Sequence, residues 1–95
     1  MQFLATVRRL MESFTQAEFD RLLDAEAEGV RTLYAQGAVR QAWGREDVLG
    51  ACLLLEADSR EEAESALMTL PLFVNKMVEY QIIPLRGYRG FGPRA

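Results

Sequence analysis

Val48-Leu49-Gly50-Ala51-Cys52-Leu53-Leu54-Leu55-Glu56-Ala57 is the stretch on which the fold turns. It reads as a strand, and a strand shows alternate residues to opposite faces. Ala51, Leu53 and Leu55 then share one face, while Gly50, Cys52 and Leu54 share the other. An antiparallel sheet with helices on one face and water on the other alternates apolar and polar residues. This strand is apolar on both, so both faces are expected to be covered. Helices of the same chain can cover one. The simplest cover for the other is the sheet of a second copy, packed face to face, because large apolar patches are seldom left exposed. The alternative is a central strand that tolerates a few exposed aliphatics.

The surrounding sequence supplies the helices. Downstream, Ser59-Arg60-Glu61-Glu62 has capping-box spacing and opens a helix through Ala63, Ala66, Leu67 and Leu70; Pro71 ends it or follows it. Residues 76–85 read as the last strand. Upstream, Gly44-Arg45-Glu46-Asp47 is a turn after a strand over residues 38–43. Before that, Thr15-Gln16-Ala17-Glu18 is a second capping box. It opens a helix whose face is Phe19, Leu22, Leu23, Ala27, Val30, Leu33 and Tyr34, closed by Gly37. Residues 3–8, partly β-branched, read as the first strand. The order β-α-β-β-α-β, with right-handed crossovers, gives a ferredoxin-like α+β fold: a four-stranded antiparallel sheet with two helices on one face.

Composition narrows the functional classes. The chain has 95 residues, 49% of them apolar, and a formal charge of −3. That suits one folded domain, taken as residues 1–86, with a Gly/Arg-rich tail over residues 87–95. No basic stripe of the kind nucleic acid requires is present, and no apolar run is long enough to span a bilayer. The first residues are too short an apolar run, with charges on the wrong side, for a signal peptide. One cysteine allows no internal disulfide and makes a reducing cytoplasm the expected location. Histidine is absent. Cys52 therefore has no imidazole to activate it, and among aliphatic neighbours it reads as a buried, inert thiol.

From Glu26 to Phe73 the chain resembles the muconolactone isomerase family, including its chloromuconolactone dehalogenase relatives. The resemblance rests on Glu26 in the first helix, Leu33 and Gly37, Arg40 and Trp43, and Leu70-Pro71-Leu72-Phe73, with spacings that fit without gaps. Glu79 also matches an acidic position. The resemblance implies a dimeric α+β barrel, often assembled into larger rings, and cofactor-free chemistry on a lactone acid from aromatic catabolism. Three features depart from it. The turn after Trp43 carries Arg45-Glu46-Asp47, Ala51 and Leu53 stand where the isomerases tend to be polar, and Arg86-Gly87 replaces a His-Pro.

The resemblance implies Glu26 and Arg40 as catalytic residues, with Trp43, Phe73 and Glu79 binding substrate. A buried glutamate has the raised pKa that a proton-shifting base needs. An arginine can clamp a carboxylate and oppose an enolate. Each residue also has a plainer reading. Glu26 can be a solvated helix acid beside Asp24 and Glu28, and Arg40 a strand-edge cation paired with an acid. Trp43 can be packing at a core or interface, and Glu79, with Gln81, a wet strand edge. The tail's Arg86-Gly87-Tyr88-Arg89 interleaves basic and aromatic residues, and an arm crossing to another subunit suits it better than RNA contact. The expected function is thus a cofactor-independent, proton-shifting isomerase of a small unsaturated lactone or carbonyl acid, working as a homodimer or larger ring. The alternative is a non-catalytic dimeric module that binds a small ligand.

Overall fold

The computed structural model describes residues 1–93. Four strands are present: β1 (Gln2–Arg9), β2 (Val39–Gly44), β3 (Gly50–Glu56) and β4 (Val78–Leu85). They form one antiparallel sheet in the order β2-β3-β1-β4. The helices are α1 (Gln16–Asp20), α2 (Leu23–Ala35), α3 (Arg60–Leu67) and α4 (Pro71–Val74). This is the expected ferredoxin-like α+β arrangement, with an open sheet.

Pairing register assigns every strand residue to a face. Ala5 lies opposite Leu53 on one side and Ile82 on the other, and Phe3 opposite Leu55. These residues form the helix-covered face, and all five are buried. Leu4, Thr6, Arg8, Cys52, Leu54 and Ile83 project to the opposite face and stay partly accessible. Cys52 is therefore half-buried on the open face, not enclosed in the core as expected, because strand alternation turns it away from the helices. Gly50 sits where two backbones close tightly: a Cβ there would lie 2.0 Å from the Val7 carbonyl oxygen.

The first predicted helix is two pieces. The Thr15 box forms in full, with the Glu18 amide donating to Thr15 Oγ1 at 3.2 Å and the Thr15 amide to Glu18 Oε1 at 2.9 Å. At Leu22 the ladder tightens, its amide bonding the Phe19 carbonyl three residues back. This break lets α1 bury Phe19 while α2 restarts with Leu23, Val30 and Leu33 toward the sheet. Ala27 and Tyr34, assigned above to the apolar face, are exposed on α2. Gly37 takes the left-handed conformation, φ 83°, that ends a helix.

The second box is half formed. Ser59 Oγ accepts from the Glu62 amide at 3.1 Å, but the Glu62 carboxylate turns to the Asp58 amide. Pro71 neither ends α3 nor merely follows it. It is the first residue of α4, where its fixed φ suits a helix start and its missing N–H costs nothing. Lys76, φ 57°, makes the turn into β4, which therefore begins at Val78 and not at residue 76. Of the tail, residues 89–91 form a 3-10 turn and Tyr88 packs edge-on to Phe91 at 5.0 Å. Residues 94 and 95 of the predicted tail lie outside the described residues.

Candidate active site

The α2 face toward the sheet runs Leu23, Glu26, Val30, Leu33, spaced three, four and three residues apart. Such a stripe belongs to the buried side of a helix. Glu26 therefore carries a carboxylate into an apolar seam, and it is half-buried. It lines a cavity of about 120 Å³ between α2, α4 and the sheet. Val7 and Arg9 come from β1, Ala51 and Leu53 from β3, Val78 from β4, and Leu72 and Phe73 from α4. The lining is apolar except for Glu26 and Arg9.

The Leu-Pro-Leu-Phe segment explains how the carboxylate is held. Leu70 is the cap of α4 and Pro71 its first residue. Proline has no N–H, so the first amide that α4 can offer is that of Leu72. That amide donates to Glu26 Oε1 at 2.9 Å. Among the described residues no hydrogen bond reaches Oε2, which leaves that oxygen free to take a proton. Burial pushes the Glu26 carboxyl up from its ordinary value, against the Leu72 amide and the charge of Arg9, both of which pull it down. Burial is the stronger, so Glu26 is a better base than a solvated glutamate.

Arg9 was not singled out in the sequence, although a signal existed. Phe3, Ala5, Val7 and Arg9 alternate along β1, so Arg9 falls on the helix-covered face. Its guanidinium carbon sits 5.6 Å from the centre of the Phe19 ring.

The remaining expected residues are spread over the molecule. Phe73 shares the cavity with Glu26. Arg40 does not. It lies exposed on β2 at a register shift between Val39 and Gln41, and β2 contributes no residue to the cavity. The charge of Arg40 acts on Glu56. Trp43 pairs opposite Cys52, so it stands on the open face, half-exposed.

Glu79 lines a separate cleft of about 300 Å³ on the open face, with Thr6, Arg8, Arg45 and Gln81. There Arg8 bridges Glu79 at 2.6 Å and Glu12 at 2.9 Å, and Arg45 grips both oxygens of Asp47. These arginines hold Glu12 and Glu79 below the usual carboxylate range and Asp47 at about 2. The open-face carboxylates are thereby weak bases, unlike Glu26. Among the described residues, no three Asp, Glu, Cys or His side chains are grouped to hold a metal ion. Among the same residues, no helix is long and apolar enough to cross a membrane.

No curated protein matches the sequence. Among solved structures, muconolactone isomerase superposes with a TM-score of 0.77 at 22% identity, over 99% of this chain and 98% of that one. The 5-chloro-2-hydroxyhydroquinone dehydrochlorinase (TftG) of Burkholderia phenoliruptrix AC1100, in complex with 2,5-dihydroxybenzoquinone, superposes with a TM-score of 0.71 at 19% identity, over 95% and 98%. At such identities these two share the fold with the chain. The family itself is shown by residues 1–90, which match the muconolactone delta-isomerase model, and the chain belongs to that family.

Proposed function

We propose that the chain is a cofactor-independent isomerase that moves a proton within a small unsaturated lactone or carbonyl acid, with Glu26 as the base. The observation that carries this reading is the desolvated Glu26 carboxylate, anchored on one oxygen by the Leu72 amide inside an apolar cavity. A proton on carbon conjugated to a carbonyl is acidic enough for such a base to remove. Glu26 takes it on Oε2, the electron pair delocalises onto the carbonyl oxygen, and the same carboxylic acid returns the proton at another carbon. The shift is redox-neutral, and no group leaves or joins the substrate. Phe73 and Leu72 form the wall against which the ring lies. The cavity is smaller than drug-sized sites, which run to several hundred Å³, and suits a single small ring.

The assembly proposed with it is a homodimer whose open faces stack, covering Leu4, Leu54 and Ile83. A second reading, a ligand-binding module without turnover, is favoured by the apolar side chains of Ala51 and Leu53 in the cavity lining. Turnover of muconolactone by the purified protein and by Glu26→Gln separates the two. A proton-transfer residue contributes about 10²- to 10⁴-fold, and the variant is expected to lose that much. Equal rates for both proteins remove Glu26 from the mechanism. No turnover by either, with the ligand still bound, selects the binding module.

A further inference from the structure

We propose that Arg9 is the specificity-determining residue of the cavity, receiving a carboxylate of the ligand and so selecting small anionic lactones or carbonyl acids. The inference rests on the reading of the Glu26 cavity as the substrate site.

Three observations carry it. The first is place. Arg9 pairs with Val78 at the end of β1, on the helix-covered face, and lines the cavity with Glu26. The second is posture. The guanidinium carbon lies over the ring of Phe19, 5.6 Å from its centre, and that ring is fully buried. A cation at this distance is drawn to the face of a fixed ring, and a guanidinium carries the forked N–H donors that suit a two-pronged contact with a carboxylate. The third is that Arg9 has no counter-ion among the described residues. Arg8 and Arg45, its neighbours on the open face, are both tied to carboxylates. Among the described residues the Arg9 side chain makes no salt bridge and donates no hydrogen bond. It does feel Glu26 through space, since its charge lowers the Glu26 carboxyl, but the two form no ion pair.

An apolar cavity with one unpaired cation and one carboxylate is polarised. A ligand carboxylate is repelled by Glu26 and attracted by Arg9, so it binds with its acid group at the Arg9 end. Its ring then lies against Leu72 and Phe73, with a C–H edge toward Glu26. Charge neutralisation adds a second effect. A carboxylate on Arg9 removes the pull that Arg9 exerts on Glu26, so the ligand strengthens its own base on binding.

The test uses the full chain, ¹⁵N-labelled, with 2-furylacetate and its methyl ester as unreactive probes. The Leu72 amide resonance reports on the Glu26 cavity. The wild-type protein is expected to bind the acid about tenfold or more tightly than the ester, the scale of a charge-assisted hydrogen bond. Arg9→Gln should abolish that preference with an unchanged far-ultraviolet circular dichroism spectrum, and Arg9→Lys should keep part of it. A merely structural role would not move the pH profile. Loss of the Arg9 charge should shift the acidic limb of kcat/KM to higher pH, since Glu26 loses a group that lowers it.

The proposal is overturned if the wild-type protein fails to favour the acid, whether it binds both probes equally or neither. It is also overturned if Arg9→Gln retains the preference, or if Arg40→Gln alone removes it. Muconolactone turnover is followed in parallel. Selective binding without turnover removes the isomerase reading and keeps the role of Arg9, while turnover without selectivity does the reverse.

Discussion

The two faces of the sheet hold charge in opposite ways. On the helix-covered face, Phe3, Ala5, Val7, Leu53, Leu55 and Ile82 are at most 4% exposed. The charges that approach this face, Glu26 and Arg9, make no ion pair with each other or with any other described residue. On the open face, Arg8, Glu79, Arg45 and Asp47 are exposed or only partly covered, and each is paired. Pairing makes the open-face carboxylates weak bases, and burial makes the covered one stronger. The comparison teaches that a count of charges is a poor guide to a site. The larger cleft has more ionisable groups but weaker bases, because its groups satisfy one another.

The largest effect expected from this contrast is on stability. Phe3 is 2% exposed and packs between the sheet and the helices. Phe3→Ala removes a fully buried ring and leaves a cavity, which costs about 3–5 kcal/mol, read by urea unfolding. Leu54→Ala, on the open face of the adjacent strand, should cost clearly less in dilute protein, where its side chain is half in water. Equal losses for the two at low concentration would erase the distinction between the faces.

Leu54→Asp sharpens the same comparison. If the open faces stack in a dimer, the wild-type melting temperature rises with protein concentration. A charge in the middle of that interface should remove the dependence and leave a folded monomer in sedimentation at micromolar concentration. A wild-type protein that is already monomeric there, with Leu54 in solvent, ends the stacked-sheet proposal.

Much of this was legible in the sequence. The apolar run of β3, the Thr15 capping box and Gly37 each correspond to one local physical rule, and those rules place that strand, the start of α1 and the end of α2. The placement of Glu26 was also readable from its position in the stripe of Leu23, Val30 and Leu33. The rest needed the fold, for separate reasons. Whether Arg40 meets Glu26 depends on strand order and on a shift of register within β2, and neither is encoded in spacing along the chain. The break at Leu22 escaped because Phe19, Leu22 and Leu23 fit one helical face as well as two. Arg9 is the exception, since plain alternation along β1 put it in the cavity, but a terminal arginine invites reading as the end of a strand. The purpose of Pro71 needed the fold as well: only when α4 meets α2 does the Leu72 amide find its acceptor.

The smallest effect is the most discriminating, because the two faces predict opposite signs. Glu79, Glu12 and Asp47 lie below their ordinary values when folded, Asp47 at about 2. Such groups stabilise the fold above their unfolded pKa, and the contribution is lost as pH falls through the folded one. Glu26 lies above its ordinary value. Its contribution is present below the unfolded pKa and is lost as pH rises through the folded one, so at neutral pH its charge weakens the fold. Glu26→Gln keeps an oxygen for the Leu72 amide and drops the charge. It should therefore melt at or above the wild-type temperature at pH 7, and the difference should vanish in acid. Glu79→Gln should melt slightly below wild type at pH 7, with a deficit that shrinks in acid and in high salt, where the exposed Arg8 pair is screened. Melting curves between about pH 2 and 8 test both. A Glu26→Gln protein less stable than wild type at neutral pH would mean that the carboxylate is held for structure. Burial would then not be the dominant influence on the Glu26 carboxyl, and its seam would not make it a stronger base than a solvated glutamate, leaving turnover alone to decide its role.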